Sequence, residues 1–206
     1  MKKKFLLLFY LAALGSTAFS LDSAIGGGFL YNSSVIRFVI PIEGYNFSEP
    51  DSVKMGRNGI GGYLFLGITR FFELNVAFVS KKTEGPEIND EPLAPGEIIF
   101  EDTITVQAGL IFKYPFQIFK MLAIFPVIGI DFEYTKGITN DYEEDWWNDL
   151  WFRGGGGLDF IITKQLFLRT SFVYGFGLPM KSSLAQAFIP KNTTGFLFRA
   201  GLGWML

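Results

Sequence analysis

The stretch TGFLFRAGLGWML, residues 194–206, decides the fold. In steps of two, Thr194, Phe196, Phe198, Ala200, Leu202, Trp204 and Leu206 share one face. Gly195, Leu197, Arg199, Gly201, Gly203 and Met205 share the other. A period of two is that of a β-strand, whose successive side chains point to opposite faces. A soluble barrel would turn the large apolar face inward. A narrow lumen has no room for Phe, Phe, Leu and Trp from every strand, and Gly with Arg toward water would have no reason to alternate. A membrane barrel inverts the pattern, with aromatics and Leu toward lipid and small or charged residues toward the lumen.

The same alternation recurs along the chain. Residues 166–178 set Leu168, Phe172 and Phe176 against Arg169, Ser171 and Gly175, and residues 152–162 set Phe152, Leu158 and Phe160 against Arg153, Gly155 and Asp159. Residues 124–134 set Ile128, Ile130 and Phe132 against Gly129, Asp131 and Glu133. Residues 100–114 set Phe100, Ile104, Leu110 and Phe112 against Glu101, Thr105, Gln107 and Lys113, and residues 72–80 set Phe72, Leu74 and Phe78 against Glu73 and Asn75. With two Gly-rich segments of less decisive phase, 24–31 and 58–69, this predicts eight strands. Short links fall near 70–71, 115–121 and 163–165; long ones fall at 32–57, 81–98, 136–150 and 179–193. Alternating short turns and long loops, with an even strand number, predict an all-β, eight-stranded, antiparallel up-and-down transmembrane barrel with no open edge.

The start of the chain agrees. MKKKFLLLFYLAALGSTAFS, residues 1–20, has a basic head, a ten-residue apolar core over 5–14, and small residues at Ala18 and Ser20. It reads as a signal peptide, which leaves 21–206 as the barrel domain. Setting aside Lys2, Lys3 and Lys4 reduces 18 basic residues to 15 against 20 acidic ones, a charge of −5, so no basic nucleic-acid footprint is present. The most apolar later region, 110–132, is broken by Lys113, Pro115, Lys120, Pro126 and Asp131, too often for a spanning helix. The whole chain of 206 residues holds 24 Phe and 24 Gly but no His or Cys. That excludes Ser-His and Cys-His catalysis, the usual zinc sites and disulfides, so neither an enzyme nor a cofactor or metal is expected.

The signal peptide, the strand–loop rhythm and the terminal strand together resemble the small eight-stranded bacterial outer-membrane barrels, the OmpX-like and OmpW-like families. Their terminal strand usually ends on an aromatic residue read by the assembly machinery; here Leu206 ends it and Trp204 stands two places before. The phenylalanine-rich composition would suit a spirochaete source. The resemblance implies an outer-membrane location and a porin-like architecture. Its implied partners are outer-membrane lipid, the barrel-assembly machinery and an extracellular ligand at the loops, with the protein a monomer and nucleic acid absent.

The inward phase collects the charges Glu73, Glu101, Lys113, Asp131, Glu133, Arg153, Asp159, Arg169 and Arg199. An Arg or Lys facing lipid near the midplane would cost roughly 2–4 kcal/mol, so the inward phase is physically expected. In a narrow lumen these charges must pair, and the plain reading is a salt-bridged plug. The alternative is a narrow OmpW-like conduit for small apolar solutes, with Phe65, Phe125, Val127 and Ile161 along it. Aromatics near strand ends read as interfacial girdles: Tyr114, Phe116, Phe119, Phe167 and Trp204 at one end, Tyr31, Phe100, Tyr134, Trp151 and Tyr174 at the other. The stretch 140–151 reads as a solvated acidic surface loop that carries Tyr142, Trp146 and Trp147, with the two tryptophans dipping into the outer interface. Its carboxylates Asp141, Glu143 and Asp145 lack an EF-hand's glycine, since Trp146 stands in that place.

Overall fold

The computed structural model describes residues 23–39, 52–88, 91–92, 102–137, 146–182 and 189–206. Eight long strands carry the fold: β1 (Ala24–Val39), β2 (Ser52–Gly67), β3 (Phe72–Ile88), β4 (Asp102–Lys113), β5 (Leu122–Gly137), β6 (Trp146–Ile161), β7 (Leu166–Ser182) and β8 (Ile189–Met205). Two short pieces accompany them, Glu91–Pro92 against β3 and Phe116–Phe119 against β5. Each long strand pairs antiparallel with the next, and β8 pairs with β1. The ring therefore closes without an edge. Followed from partner to partner, the register runs from Ala24 through Gly67, Glu73, Ile111, Gly129, Arg153, Gly175 and Gly195 back to β1 at Ser34. An advance from 24 to 34, ten residues in eight strands, tilts the strands by about 40° and leaves an interior only wide enough for side chains.

Apolarity is inverted relative to a water-soluble protein. Leu64 is 68% exposed and Phe78 61%, whereas Arg57, Lys81, Glu133 and Arg199 are buried. The outer face carries cross-strand aromatic pairs, with Phe152 on Phe176 at 5.3 Å and Phe72 on Phe112 at 5.4 Å between ring centroids. Such pairs add about 0.2–1 kcal/mol each to the sheet. Every strand phase expected from the six decisive segments is found among the described residues.

Two of the three links between neighbouring strands at the end holding Ala24 and Met205 use a threonine. The Thr69 hydroxyl accepts from the Phe71 and Phe72 amides at 3.1 Å, and the Thr163 hydroxyl from the Gln165 and Leu166 amides at 3.2 and 2.9 Å. These side-chain bonds stand in for a turn's backbone bond. At the seam, the Leu206 amide donates to the Ser23 carbonyl at 2.9 Å. We call this the turn end and the opposite one the loop end.

The strands are 12 to 17 residues long, beyond the 9–11 that a bilayer needs. The expected loops 32–57, 81–98, 136–150 and 179–193 are thus partly strand: β1 runs on to Val39, β2 starts at Ser52, β3 ends at Ile88 and β6 starts at Trp146. Beyond the apolar belt polar and apolar residues mix on both faces, so alternation of hydropathy disappears although the strand continues. Trp146 and Trp147 consequently sit on β6 rather than in a loop, and Tyr142 and the carboxylates 141–145 lie outside the described residues. Two girdle assignments are also corrected: Trp151 and Phe167 are buried in the lumen, because each falls on the inward phase of its strand. Phe100 lies outside the described residues.

Candidate functional site: the lumen

Three tiers of polar side chains cross the barrel. Nearest the turn end, Arg169 donates from Nε and Nη2 to the two Asp159 carboxylate oxygens at 2.7 Å each, and from Nη1 to Glu73. Asp159 faces Arg169 directly across the β6–β7 pair, whereas Glu73 on β3 stands diametrically opposite β7. Glu73 also accepts from Lys113 Nζ at 2.8 Å. Phenyl rings enclose the Arg169 guanidinium, with centroids at 4.6 Å for Phe65, 4.8 Å for Phe167 and 5.4 Å for Phe125. An arginine is suited to this place, since its flat, weakly hydrated head packs on rings while its edge forks onto carboxylate.

In the middle tier, Arg153 links two carboxylates on β5, donating from Nε to Asp131 and from Nη2 to Glu133, both at 2.6 Å. The Trp151 ring lies against its guanidinium at 4.3 Å. Gln107 Nε2 donates to Glu133 at 2.6 Å. Arg199 is held more loosely: it donates to Asn75 Oδ1 at 3.2 Å and lies 4.0 Å from Asp131. Toward the loop end, Lys81 Nζ donates to Glu133 at 3.1 Å, and Arg57 donates to the Thr103 hydroxyl while stacking on Trp147 at 4.6 Å. Arg57 on β2 and Trp147 on β6 are again diametrically placed, so this contact spans the lumen. Trp147 was expected at the outer interface; its inward phase makes it part of the interior instead.

Eight of the nine expected lumen charges are where the alternation places them, and seven of those join by direct ion pairs, with Arg199 at the limit. Glu101 lies outside the described residues. Sequence reasoning missed Arg57, Lys81 and Asp149, all buried inward. Their odd numbers continue the inward phase of β2, β3 and β6, and that parity could have found them. Among the described residues the interior thus holds six cations and five carboxylates.

The glycines that alternate with these charges make room for them. A Cβ on Gly177 would come within 2.9 Å of the Trp151 ring, one on Gly201 within 2.9 Å of the Tyr63 hydroxyl, and one on Gly109 would strike the Asp131 carboxylate. We expect Gly109→Ala to displace Asp131 from Arg153 and to cost about 1–3 kcal/mol. Gly154→Ala, where the nearest atom to the new Cβ is the Val127 carbonyl at 3.9 Å, is expected to change stability by less than about 0.5 kcal/mol. Urea unfolding midpoints of the two variants in lipid vesicles check this; equal shifts would contradict it.

A cavity of about 10 Å³ among Tyr63, Glu73, Ile111 and Arg199 holds at most about one water. At the turn end the lumen widens into a vestibule of about 450 Å³, walled by Phe167, Ile161, Tyr114 and Phe116 and floored by Arg169, Asp159 and Lys113.

The sequence matches no protein-family model and no curated protein. Its fold is that of solved outer-membrane barrels. The outer membrane protein OprG from Pseudomonas aeruginosa aligns with a TM-score of 0.54 at 11% identity, over 91% of this chain and 96% of that one. The outer membrane protein AlkL, solved in DMPC lipid bilayers, aligns with a TM-score of 0.50 at 12% identity, over 90% of each chain. Ail, the attachment invasion locus protein of Yersinia pestis, aligns more loosely, with a TM-score of 0.44 at 13% identity over 91% of this chain and all of that one. At these identities the likeness is one of fold. It shows nothing of a spirochaete source.

Proposed function

We propose that the chain is an integral outer-membrane barrel whose lumen is closed by its own side chains and which acts at the cell surface through its loop end. The observation that carries the closure is the pair of diametric contacts, Arg169–Glu73 and Arg57–Trp147, with a cavity of about 10 Å³ between the Arg169 and Arg199 tiers. Support for the surface role is an asymmetry: the sheet stops at tight turns at one end and continues beyond the apolar belt at the other. In this reading lipid surrounds the belt, the assembly machinery inserts the chain, and the barrel is a monomer that meets its ligand at the loop end. In this reading the barrel is not an enzyme: four of the five lumen carboxylates among the described residues, Glu73, Asp131, Glu133 and Asp159, each accept from Arg or Lys, which leaves them poorly placed as general bases.

Single-channel recording on the refolded protein tests the closure. The expected trace is silent, without steady steps; stable conductance of uniform size would favour the narrow conduit, which the vestibule at the turn end supports. Orientation is tested separately. An epitope inserted after Asp145 is expected to bind antibody on intact cells, and one at Lys164 only after the outer membrane is permeabilised. The opposite order would put the loop end in the periplasm.

A further inference from the structure

We infer that Asp149 is a proton-binding carboxyl at the loop end of the lumen, and that its proton decides where the Arg57 guanidinium rests. This goes beyond the closed-lumen reading and does not depend on it, because Arg57 bridges β2 and β6 in either position.

Asp149 is buried on the inward phase of β6, toward the loop end, where the outer face of the sheet turns to Asn148 and Lys136 and water replaces lipid. In the antiparallel register it stands opposite Glu133 on β5, which is also buried, so two carboxylates share one face of a cross-strand pair. Two carboxylates in one dry site do not both ionise at the ordinary pH. Glu133 is the one that keeps its charge: Lys81 donates to one of its oxygens, and Gln107 and Arg153 donate to the other. Asp149 makes no direct ion pair among the described residues. Of the cations facing it, Lys81 from β3 is held by Glu133, Arg153 on its own strand is held by Asp131 and Glu133, and Arg57 from β2 is bonded to a neutral group. On β7 its register partner Pro179 brings no charge, and Lys181 stands opposite Asn148. Burial and the facing Glu133 carboxylate push the Asp149 carboxyl up to about 6.

Arg57 has a second seat within reach. Its guanidinium lies over the Trp147 ring at 4.6 Å and donates to the Thr103 hydroxyl, while its buried Nε has no hydrogen-bond partner. Trp147 and Asp149 are successive inward residues of one strand, about 7 Å apart along it, within the swing of an arginine head. While Asp149 carries its proton, the indole face and the hydroxyl are the better seat for the cation. Once Asp149 is ionised, a forked guanidinium–carboxylate bond outweighs a ring contact and a neutral hydrogen bond. The structure, with Arg57 on the indole, has the arrangement of the protonated form.

The test is an NMR titration of the refolded full chain in nanodiscs, with labels on aspartate carboxyl carbons, arginine side-chain nitrogens and tryptophan indoles. The Asp149 carboxyl is expected to titrate near pH 6, where an exposed Asp would do so near about 3.9. Over the same interval the Arg57 Nε signal should lose the ring-current shift of Trp147. The Trp147 indole should move with the same midpoint, and the indole of Trp204, at the turn end, should stay in place. Asp149→Asn keeps the shape and cannot ionise, so it should hold the Arg57 and Trp147 signals at their acid positions at every pH. The wild-type signals decide the matter even if that variant fails to refold. An Asp149 carboxyl that titrates at the ordinary value, an Arg57 signal that stays still while Asp149 ionises, or a folded Asp149→Asn protein with the wild-type transition would overturn the inference.

Discussion

Arg153→Met is expected to lower the unfolding free energy of the barrel in lipid vesicles by about 3–5 kcal/mol, the largest loss from any single lumen substitution. Arg153 and both its partners have side chains only 2% exposed, so its removal strands charge that water cannot readily reach. Glu133 would retain Lys81 and Gln107, but among the described residues Asp131 would keep only Arg199 at 4.0 Å. The stranded carboxylate supplies most of the cost, which gives an internal control. Adding Asp131→Asn to Arg153→Met should recover a substantial part of the loss, because an amide in that place carries no uncompensated charge. Arg199→Ala should cost less than Arg153→Met, since Arg199 makes one neutral hydrogen bond and one pairing at the 4.0 Å limit. Urea midpoints of the four proteins check the order. A loss below about 1 kcal/mol for Arg153→Met would mean that water already solvates the middle tier.

Phe172→Arg should have the next largest effect, about 2–4 kcal/mol. Phe172 is 52% exposed on the outer face, opposite Phe198 and stacked on Phe196 at 5.5 Å, near the middle of β7. A guanidinium there would face hydrocarbon with no partner. Met180→Arg, on the same phase but toward the loop end, should cost no more than about 1 kcal/mol, because a head at the interface reaches water and phosphate. The depth dependence is the signature of lipid: a soluble barrel would tolerate both alike. Refolding yield and urea midpoint in vesicles measure it.

These two effects also show which parts of the molecule can be read from sequence. Phe172 and Arg153 lie where lipid faces one side of a strand and the lumen the other, so each residue's phase fixes its surroundings. Eight strands and eight described lumen charges follow from that rule alone. Arg57, Lys81 and Asp149 lie farther toward the loop end, where water replaces lipid outside. With polar residues allowed on both faces there, hydropathy no longer distinguishes strand from loop. Trp151 and Phe167 were misplaced for a different reason. Aromatics at strand ends normally serve as interfacial anchors, but here the inward ones pack on Arg153 and Arg169, an arrangement set by side chains from separate strands. Which charges pair was not legible either, since Glu73 and Arg169 are 96 residues apart and meet only because the ring closes with its particular stagger.

Exchange of guanidinium hydrogens with water tests the closed lumen most directly, because the chain's six arginines sample both environments. Arg57, Arg153, Arg169 and Arg199 are buried inward, whereas Arg37 is exposed. With side-chain nitrogen labelling in bilayers, the Arg57, Arg153 and Arg199 Nε–H groups are expected to exchange at least tenfold more slowly than that of Arg37, and Arg169, at the vestibule floor, at an intermediate rate. Exchange of all these groups at the rate of Arg37 would reveal a water-filled passage and contradict the account.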